Sequence, residues 1–118
     1  MASTYTDNNG IELIGDGEQA GNWGSTTNTN LEIIDRIVNG VGSVSLSGQG
    51  ATFDLATSDG DKTSNGMLKV ITFTSADQAC TITITPNNAQ KLYFVYNNAG
   101  HALTFKQGSS GSTVAIPN

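Results

Sequence analysis

The side chains best suited to catalysis or metal binding are few and widely separated in this sequence. His101 is the one histidine and Cys80 the one cysteine. A catalytic triad or a structural zinc site needs several such groups together. We therefore interpret His101 as a surface residue of a turn. Cys80 lies in an alternating apolar run, which favours a buried small hydrophobic residue, and as a single thiol it forms no intrachain disulfide.

Acidic residues form two loose groups. Asp54, Asp59 and Asp61 surround a glycine-containing loop, but they lack the alternating acids closed by a glutamate that an EF-hand requires. An ordinary solvated turn is the favoured interpretation of this first group. The second group lies on a glycine-rich stretch that fixes no separation between carboxylates, so glycoside hydrolysis is unsupported; it consists of Glu12, Asp16 and Glu18. We expect no metal, no cofactor and no enzymatic activity.

Aromatic side chains offer a binding function instead. Tyr93, Tyr96 and Phe105 are of the type that stacks on a sugar ring. With only eight aromatic residues in the chain (one Trp, three Tyr and four Phe), core packing is the favoured interpretation of all three. The sequence is compatible with both interpretations.

Composition narrows the class of partner. The 118 residues suffice for one domain, and only 13% of them are charged, with Ser, Thr, Asn and Gly in their place. A net charge of −5 with scattered basic residues argues against nucleic acid. We recognise neither a signal peptide nor a membrane span, and we expect no membrane insertion. Because the sequence stops at Asn118 directly after a strand-like run, we expect the natural protein to continue.

The elements that position these residues fall into three segments. Residues 1–24 have no sustained period and are interrupted by glycines, which predicts an extended N-terminal arm anchored by burial of Trp23. Residues 25–41 predict a short amphipathic helix that ends at a left-handed Gly40. Thr29 and Glu32 fit a capping box, with Ser25 and Thr27 as alternative caps. Its predicted apolar face consists of Leu31, Ile34, Ile37, Val38 and Val41.

Residues 42–118 alternate with a period of two and predict about seven short strands separated by Gly, Asn and Pro turns. Because β-branched and aromatic residues are enriched and a strand recurs about every ten residues, the predicted fold is mainly β, an antiparallel β-sandwich or small barrel. Along the run KLYFVYN both faces carry apolar side chains, which predicts a strand buried on two sides, at the centre of the module or in a subunit interface. The predicted strands are 43–47, 51–55, 67–74, 80–85, 91–97, 102–106 and 113–116.

One combination of motifs in the N-terminal region is similar to the opening of a known class of proteins. The chain has STYT at 3–6, GDGEQAGNWG at 15–24 and TNTN at 27–30, followed by a short apolar helix at 31–40. This order resembles the start of tail-fibre-like structural proteins of bacteriophages of marine bacteria and cyanobacteria. The runs at 91–98 and 103–106 are similar to sequences found later in such proteins.

The resemblance implies a structural protein of the phage virion, assembled in the host cytoplasm. It implies homotrimers whose N-terminal region attaches a fibre to the phage tail or another virion protein, while a distal part recognises the host, with surface glycans as a candidate receptor. The residues expected at the attachment are Ile11, Leu13, Ile14 and Trp23, and the helix face is the expected trimer contact. Two alternatives are a carbohydrate-binding β-sandwich and a capsid decoration or baseplate component; a polysaccharide depolymerase is the least favoured.

Overall fold

The computed structural model describes residues 2–118, in which one α-helix precedes a set of short strands. The helix α1 is Trp23–Asn39, and a 3-10 turn is formed by Asn65–Met67. The strands are β1 (Thr4–Tyr5), β2 (Glu12–Leu13), β3 (Val41–Ser45), β4 (Thr52–Ala56), β5 (Val70–Thr74), β6 (Cys80–Thr85), β7 (Phe94–Asn98), β8 (Leu103–Gln107) and β9 (Val114–Ile116).

The strands from β3 to β8 alternate between two sheets. One sheet has the order β3-β5-β7 and is parallel throughout; the other has the order β4-β6-β8-β9 and is parallel except for the antiparallel pair of β8 and β9. The pairs β3–β4, β5–β6 and β7–β8 therefore form three successive coils of the chain, which stack in register. Each strand pairs with its counterpart in the next coil, as Val41 does with Val70 and Val70 with Phe94.

The predicted antiparallel sandwich or barrel is therefore wrong. The chain has an α/β fold of one helix and mostly parallel sheets. Each predicted strand overlaps an observed one, but the short turns carry the chain from one sheet to the other instead of forming hairpins. Hydrogen bonds in the turns join neighbouring coils: Gly48 donates to the Asp77 carboxylate (N···O 2.6 Å), and Ala76 donates to the Ala99 carbonyl (3.0 Å). Parallel pairing needs a long crossover, and the strand in the other sheet supplies it.

The core lies between the two sheets. Alternate residues of each strand point inward, and Phe73 and Phe105 meet edge to face with ring centroids 5.6 Å apart. Cys80 is buried here as a small hydrophobic residue, as predicted, and burial raises the pKa of its thiol. The buried cluster consists of Val44, Leu46, Leu55, Leu68, Ile71, Phe73, Cys80, Ile82, Ala99, Leu103 and Phe105.

The helix starts and ends two residues earlier than the predicted segment 25–41. Its N-cap residue is Asn22, whose side chain makes no capping hydrogen bond, so the predicted capping box at Thr29 and Glu32 is wrong. The prediction of a left-handed Gly40 is also wrong, since this residue has φ −66° and ψ 125° and leads directly into β3. The helix therefore passes into the first strand with a single residue between them.

Gly40 is required at this junction for space. A β-carbon there would lie 2.1 Å from the carbonyl oxygen of Arg36, a backbone atom that cannot move aside cheaply. We expect Gly40→Ala to lower the free energy of unfolding by about 1–3 kcal/mol. Gly24→Ala is the control: its β-carbon meets nothing within 4 Å, and a helical Gly→Ala change is expected to add roughly 0.5 kcal/mol. Urea unfolding measures both, and equal effects would contradict the close contact.

The N-terminal arm is ordered against the rest of the chain. Strands β1 and β2 form a two-stranded antiparallel ribbon, and the Asn30 side chain makes two hydrogen bonds with the backbone of Glu12 (3.0 and 2.9 Å). The Gly60 amide donates to the Gly10 carbonyl (2.6 Å), which ties the ribbon to the loop after β4. The molecule is elongated, 50 × 27 × 23 Å.

Candidate functional site

One side of α1 packs on the chain's own body. Of the 17 helix residues, all within the described part of the chain, Ile33 is the one that is fully buried. On the same side Arg36 donates from Nη2 to the carbonyls of Thr63 and Ser64 (both 3.4 Å). Glu32 forms an ion pair with Lys62 (2.6 Å). Because both side chains are about half exposed, the pair contributes little stability. The helix is thus attached along one side by few and mostly polar contacts.

The opposite side of α1 is an exposed apolar stripe. Leu31, Ile34 and Val38 are 58%, 43% and 52% exposed, and they are spaced three and four residues apart, so they form one line along the helix. We call these three residues the helix stripe. Their spacing is that of successive a, d and a positions of a coiled coil, with Leu31 and Val38 at a and Ile34 at d. Such spacing is typical of a helix that packs lengthwise against other helices.

The structure divides the apolar face that the sequence predicted as one. Leu31, Ile34 and Val38 lie on the exposed side, whereas Ile37 is half-buried and lines a groove toward Met67 and Tyr93. Val41 is not in the helix but is the first residue of β3, where it is 72% exposed. Four of the five predicted trimer residues are therefore accessible to a partner, and Ile37 supports the helix from within.

The predicted attachment residues lie on the arm and at the start of the helix. Trp23 is 63% exposed, so the prediction that burial of this side chain anchors the arm is wrong. Leu13 in β2 is 52% exposed, whereas Ile11 and Ile14 are half-buried. Leu13 and Trp23 are thus the members of this set most open to another protein.

A groove of about 340 Å³ lies between α1 and the loop before β7, and Lys91 is at its wall. The Lys91 ammonium donates to Thr57 Oγ1 (2.9 Å) and to the Gly66 carbonyl (3.0 Å), which also accepts a hydrogen bond from the Tyr93 hydroxyl (2.6 Å). Both acceptors of Lys91 are uncharged. Desolvation by burial therefore lowers the pKa of Lys91 from 10.5 to about 8. The charged form of this lysine opposes folding.

This lysine makes stability depend on pH. Between its folded pKa of about 8 and its unfolded value of 10.5, the unfolded chain binds more protons, so the free energy of unfolding rises with pH. The best window is pH 8 to 9, because the raised pKa values of Cys80 and Tyr93 oppose the trend at higher pH. We expect urea unfolding to show the rise in wild type and in Lys62→Met but not in Lys91→Met. An equal rise in Lys91→Met would contradict the assignment.

The residues considered for catalysis or metal binding do not lie close together in the structure. The Asp61 carboxylate accepts hydrogen bonds from the backbone and hydroxyl of Thr63 and from Ser64, which together hold its pKa below the usual value. The Asp61 oxygens thus accept hydrogen bonds from residues of their own turn. Asp54 lies on the outer face of β4, and His101 is exposed beside the turn after β7. In residues 2–118 the structure gathers no group of three or more histidine, cysteine or acidic side chains suited to a metal ion.

The acids of the arm and the predicted aromatics have separate roles. The Glu12 carboxylate accepts hydrogen bonds from Ser3 Oγ (2.8 Å) and Gln19 Nε2 (2.7 Å). Phe105 is in the core and Tyr93 is half-buried, so of the three aromatics considered for stacking only Tyr96 is open, at 61% exposed.

Sequence reasoning missed two features of this region. It did not identify Ile33 as the residue that fixes the helix to the body, although Ile33 and Ile37 at i and i+4 share one side. It also placed Ile37 and Val41 on the same face as Leu31, Ile34 and Val38, although only these three follow the three-four spacing of a coiled coil.

Comparison with known protein families, with characterised proteins and with solved structures found no match to this chain. Among residues 2–118, no helix has both the length and the apolar character needed to cross a bilayer.

Proposed function

We propose that this chain is a non-enzymatic structural module of a phage virion, a part of a tail fibre or related appendage, that trimerises through α1 and attaches through its N-terminal arm. The observation that carries the proposal is the helix stripe of Leu31, Ile34 and Val38, which is apolar, exposed and spaced as a coiled-coil seam. The location in the virion is proposed from the resemblance of the N-terminal motifs to phage fibre proteins.

The helix needs a partner for physical reasons. Its first eight residues, WGSTTNTN, contain no strong helix former, and one side chain of the whole helix is fully buried in its own chain. Most of the stability of a helix in a protein comes from tertiary packing of its apolar face and not from propensity. Packing of the stripe against two further copies removes its apolar surface from water and supplies the packing that the monomer lacks.

Attachment to the virion is tested with the phage that encodes the chain. We expect the wild-type chain to co-sediment with intact particles in a density gradient, and Leu13→Ser to weaken this association while the oligomeric mass is unchanged. Ala20→Ser, an exposed change in the same arm, is the control. A wild-type chain that stays apart from the particles would contradict a virion role.

Trp23 requires a separate test. It lies about three helical turns before Ile34 and on the same side of α1. If Trp23→Ser reduces co-sedimentation with the oligomeric mass unchanged, Trp23 belongs to the attachment. If it lowers the mass, Trp23 belongs to the trimer seam.

A second candidate function is recognition of host glycans, which the aromatic side chains at the edge of the parallel sheet favour. Tyr96 and Phe94 are 61% and 52% exposed and lie two residues apart on one face of β7. Exposed aromatic rings of this kind stack on sugars. Binding of the chain to an array of bacterial surface saccharides, lost in Tyr96→Ala, would support this function.

A further inference from the structure

The outer face of the β3-β5-β7 sheet, all of it within the described residues, carries no charged side chain. Its residues form three rows in register across the strands: Val41, Val70 and Phe94; Ser43, Thr72 and Tyr96; and Ser45, Thr74 and Asn98. We call these nine residues the uncharged face. Its first row is apolar, and it becomes polar toward the far end. Uncharged hydroxyl and amide groups are cheaper to bury than ions are.

The outer face of the other sheet is different. It carries Asp54 and Lys106 in one row, with Thr83 between them in the pairing register. Burying such charges against a partner is costly unless each of them is paired. Of the two outer faces, that of the β3-β5-β7 sheet is therefore the less costly to bury against a partner.

The uncharged face is continuous with the helix stripe. Only Gly40 separates the last helix residue, Asn39, from Val41. Val41 begins the apolar row that ends at Phe94. Val38 of the stripe and Leu92, which is 70% exposed just before β7, line the same groove. Lys69 borders this region, with its ammonium 5.9 Å from the centre of the Phe94 ring.

The stripe and the face together leave a group of large apolar side chains uncovered. Seven of these side chains are 43% to 72% exposed, and an exposed apolar patch is typical of a surface that contacts another molecule. The seven are Leu31, Ile34, Val38, Val41, Leu92, Phe94 and Tyr96.

We propose that the uncharged face packs against other copies of this chain, around the same axis as the helix stripe, so that the β3-β5-β7 sheet lies inside the assembly and the β4-β6-β8-β9 sheet outside. This inference rests on the proposed function, because it requires the trimer. A second copy is favoured over a saccharide because the apolar row includes the aliphatic side chains of Val41 and Val70 and continues into the stripe.

Two cysteine variants test the proposal. Thr72 and Thr83 are both half-buried threonines in the middle of an inner strand of their sheets, so Thr72→Cys and Thr83→Cys form a matched pair. In the assembled protein we expect Thr72→Cys to react with a bulky maleimide at least tenfold more slowly than Thr83→Cys. In an Ile34→Asp background, which removes the assembly, the two rates should become similar. Cys80, buried in the core, serves as an internal unreactive control.

The possible outcomes distinguish a failure of this inference from a failure of the proposed function. If the chain is a trimer and both cysteines react equally fast, the uncharged face is not the contact and the helix-based trimer still stands. If the wild-type chain is a monomer, the proposed function fails and this inference fails with it. If Thr72→Cys reacts fast and Tyr96→Ala abolishes saccharide binding, the face binds glycans and the inference is overturned.

Discussion

Ile34→Asp is expected to convert the assembled protein to a monomer. Ile34 is at the centre of the helix stripe and is 43% exposed in the isolated chain, so the aspartate is tolerated in the monomer. In a trimer, three carboxylates would meet at the axis, and each desolvated ion costs several kcal/mol. At micromolar concentration we expect light scattering to give the mass of one chain, with the helical circular dichroism reduced because α1 has lost its packing.

The control adds the same charge elsewhere on the same helix. Asn28 is exposed and lies outside the helix stripe, so Asn28→Asp should leave the mass unchanged. Ile34→Leu, which retains the apolar contact, should also assemble. If Ile34→Asp assembles as well as Asn28→Asp, the stripe is not the contact.

Phe73→Ala is expected to lower the free energy of unfolding by about 3–5 kcal/mol. Phe73 is fully buried at the centre of the core, and the substitution removes its edge contact with Phe105. This is a large fraction of the roughly 5–15 kcal/mol that a domain of this kind has in total. Urea unfolding should be measured in the Ile34→Asp background, so that unfolding is not coupled to dissociation.

Phe73→Leu tests whether lost side-chain volume, and not any substitution at this position, lowers the free energy of unfolding. It keeps most of the side-chain volume, so we expect a loss of about 1–1.5 kcal/mol. A loss below about 1 kcal/mol for Phe73→Ala would show that the two sheets do not enclose this side chain.

The positions of the strands could be predicted from the sequence, but their partners could not. The alternation in CTITIT predicted β6 with the bounds that the structure gives it, because a period of two depends on burial of one face. The same alternation occurs in parallel and antiparallel strands, so it carries no information about direction. The glycine-containing turn at 48–50 was predicted only as a turn between two strands; beside it, the Leu46 amide donates to the Thr74 carbonyl of the next coil.

The repeat of the coils is hidden by unequal loops. The loop between β4 and β5 contains the 3-10 turn, while that between β6 and β7 is shorter, so Val41, Val70 and Phe94 are unevenly spaced in sequence although they are neighbours in space. Nothing in the sequence indicated that Gly40 is needed for a close backbone contact and not for a left-handed conformation.

The helix stripe illustrates the opposite case. Leu31, Ile34 and Val38 were identified from their spacing alone, since the period of an apolar helix face depends on local geometry. Which side of the helix faces the body could not be identified in this way. That depends on the burial of Ile33 and on the hydrogen bonds from Arg36 to a loop distant in sequence.

The most direct test of this account is the solution mass of the purified wild-type chain, measured by light scattering coupled to size exclusion. We expect a mass near three times 12.2 kDa that persists on dilution to micromolar concentration. A folded monomer of 12.2 kDa would contradict the proposal that the helix stripe forms a trimer.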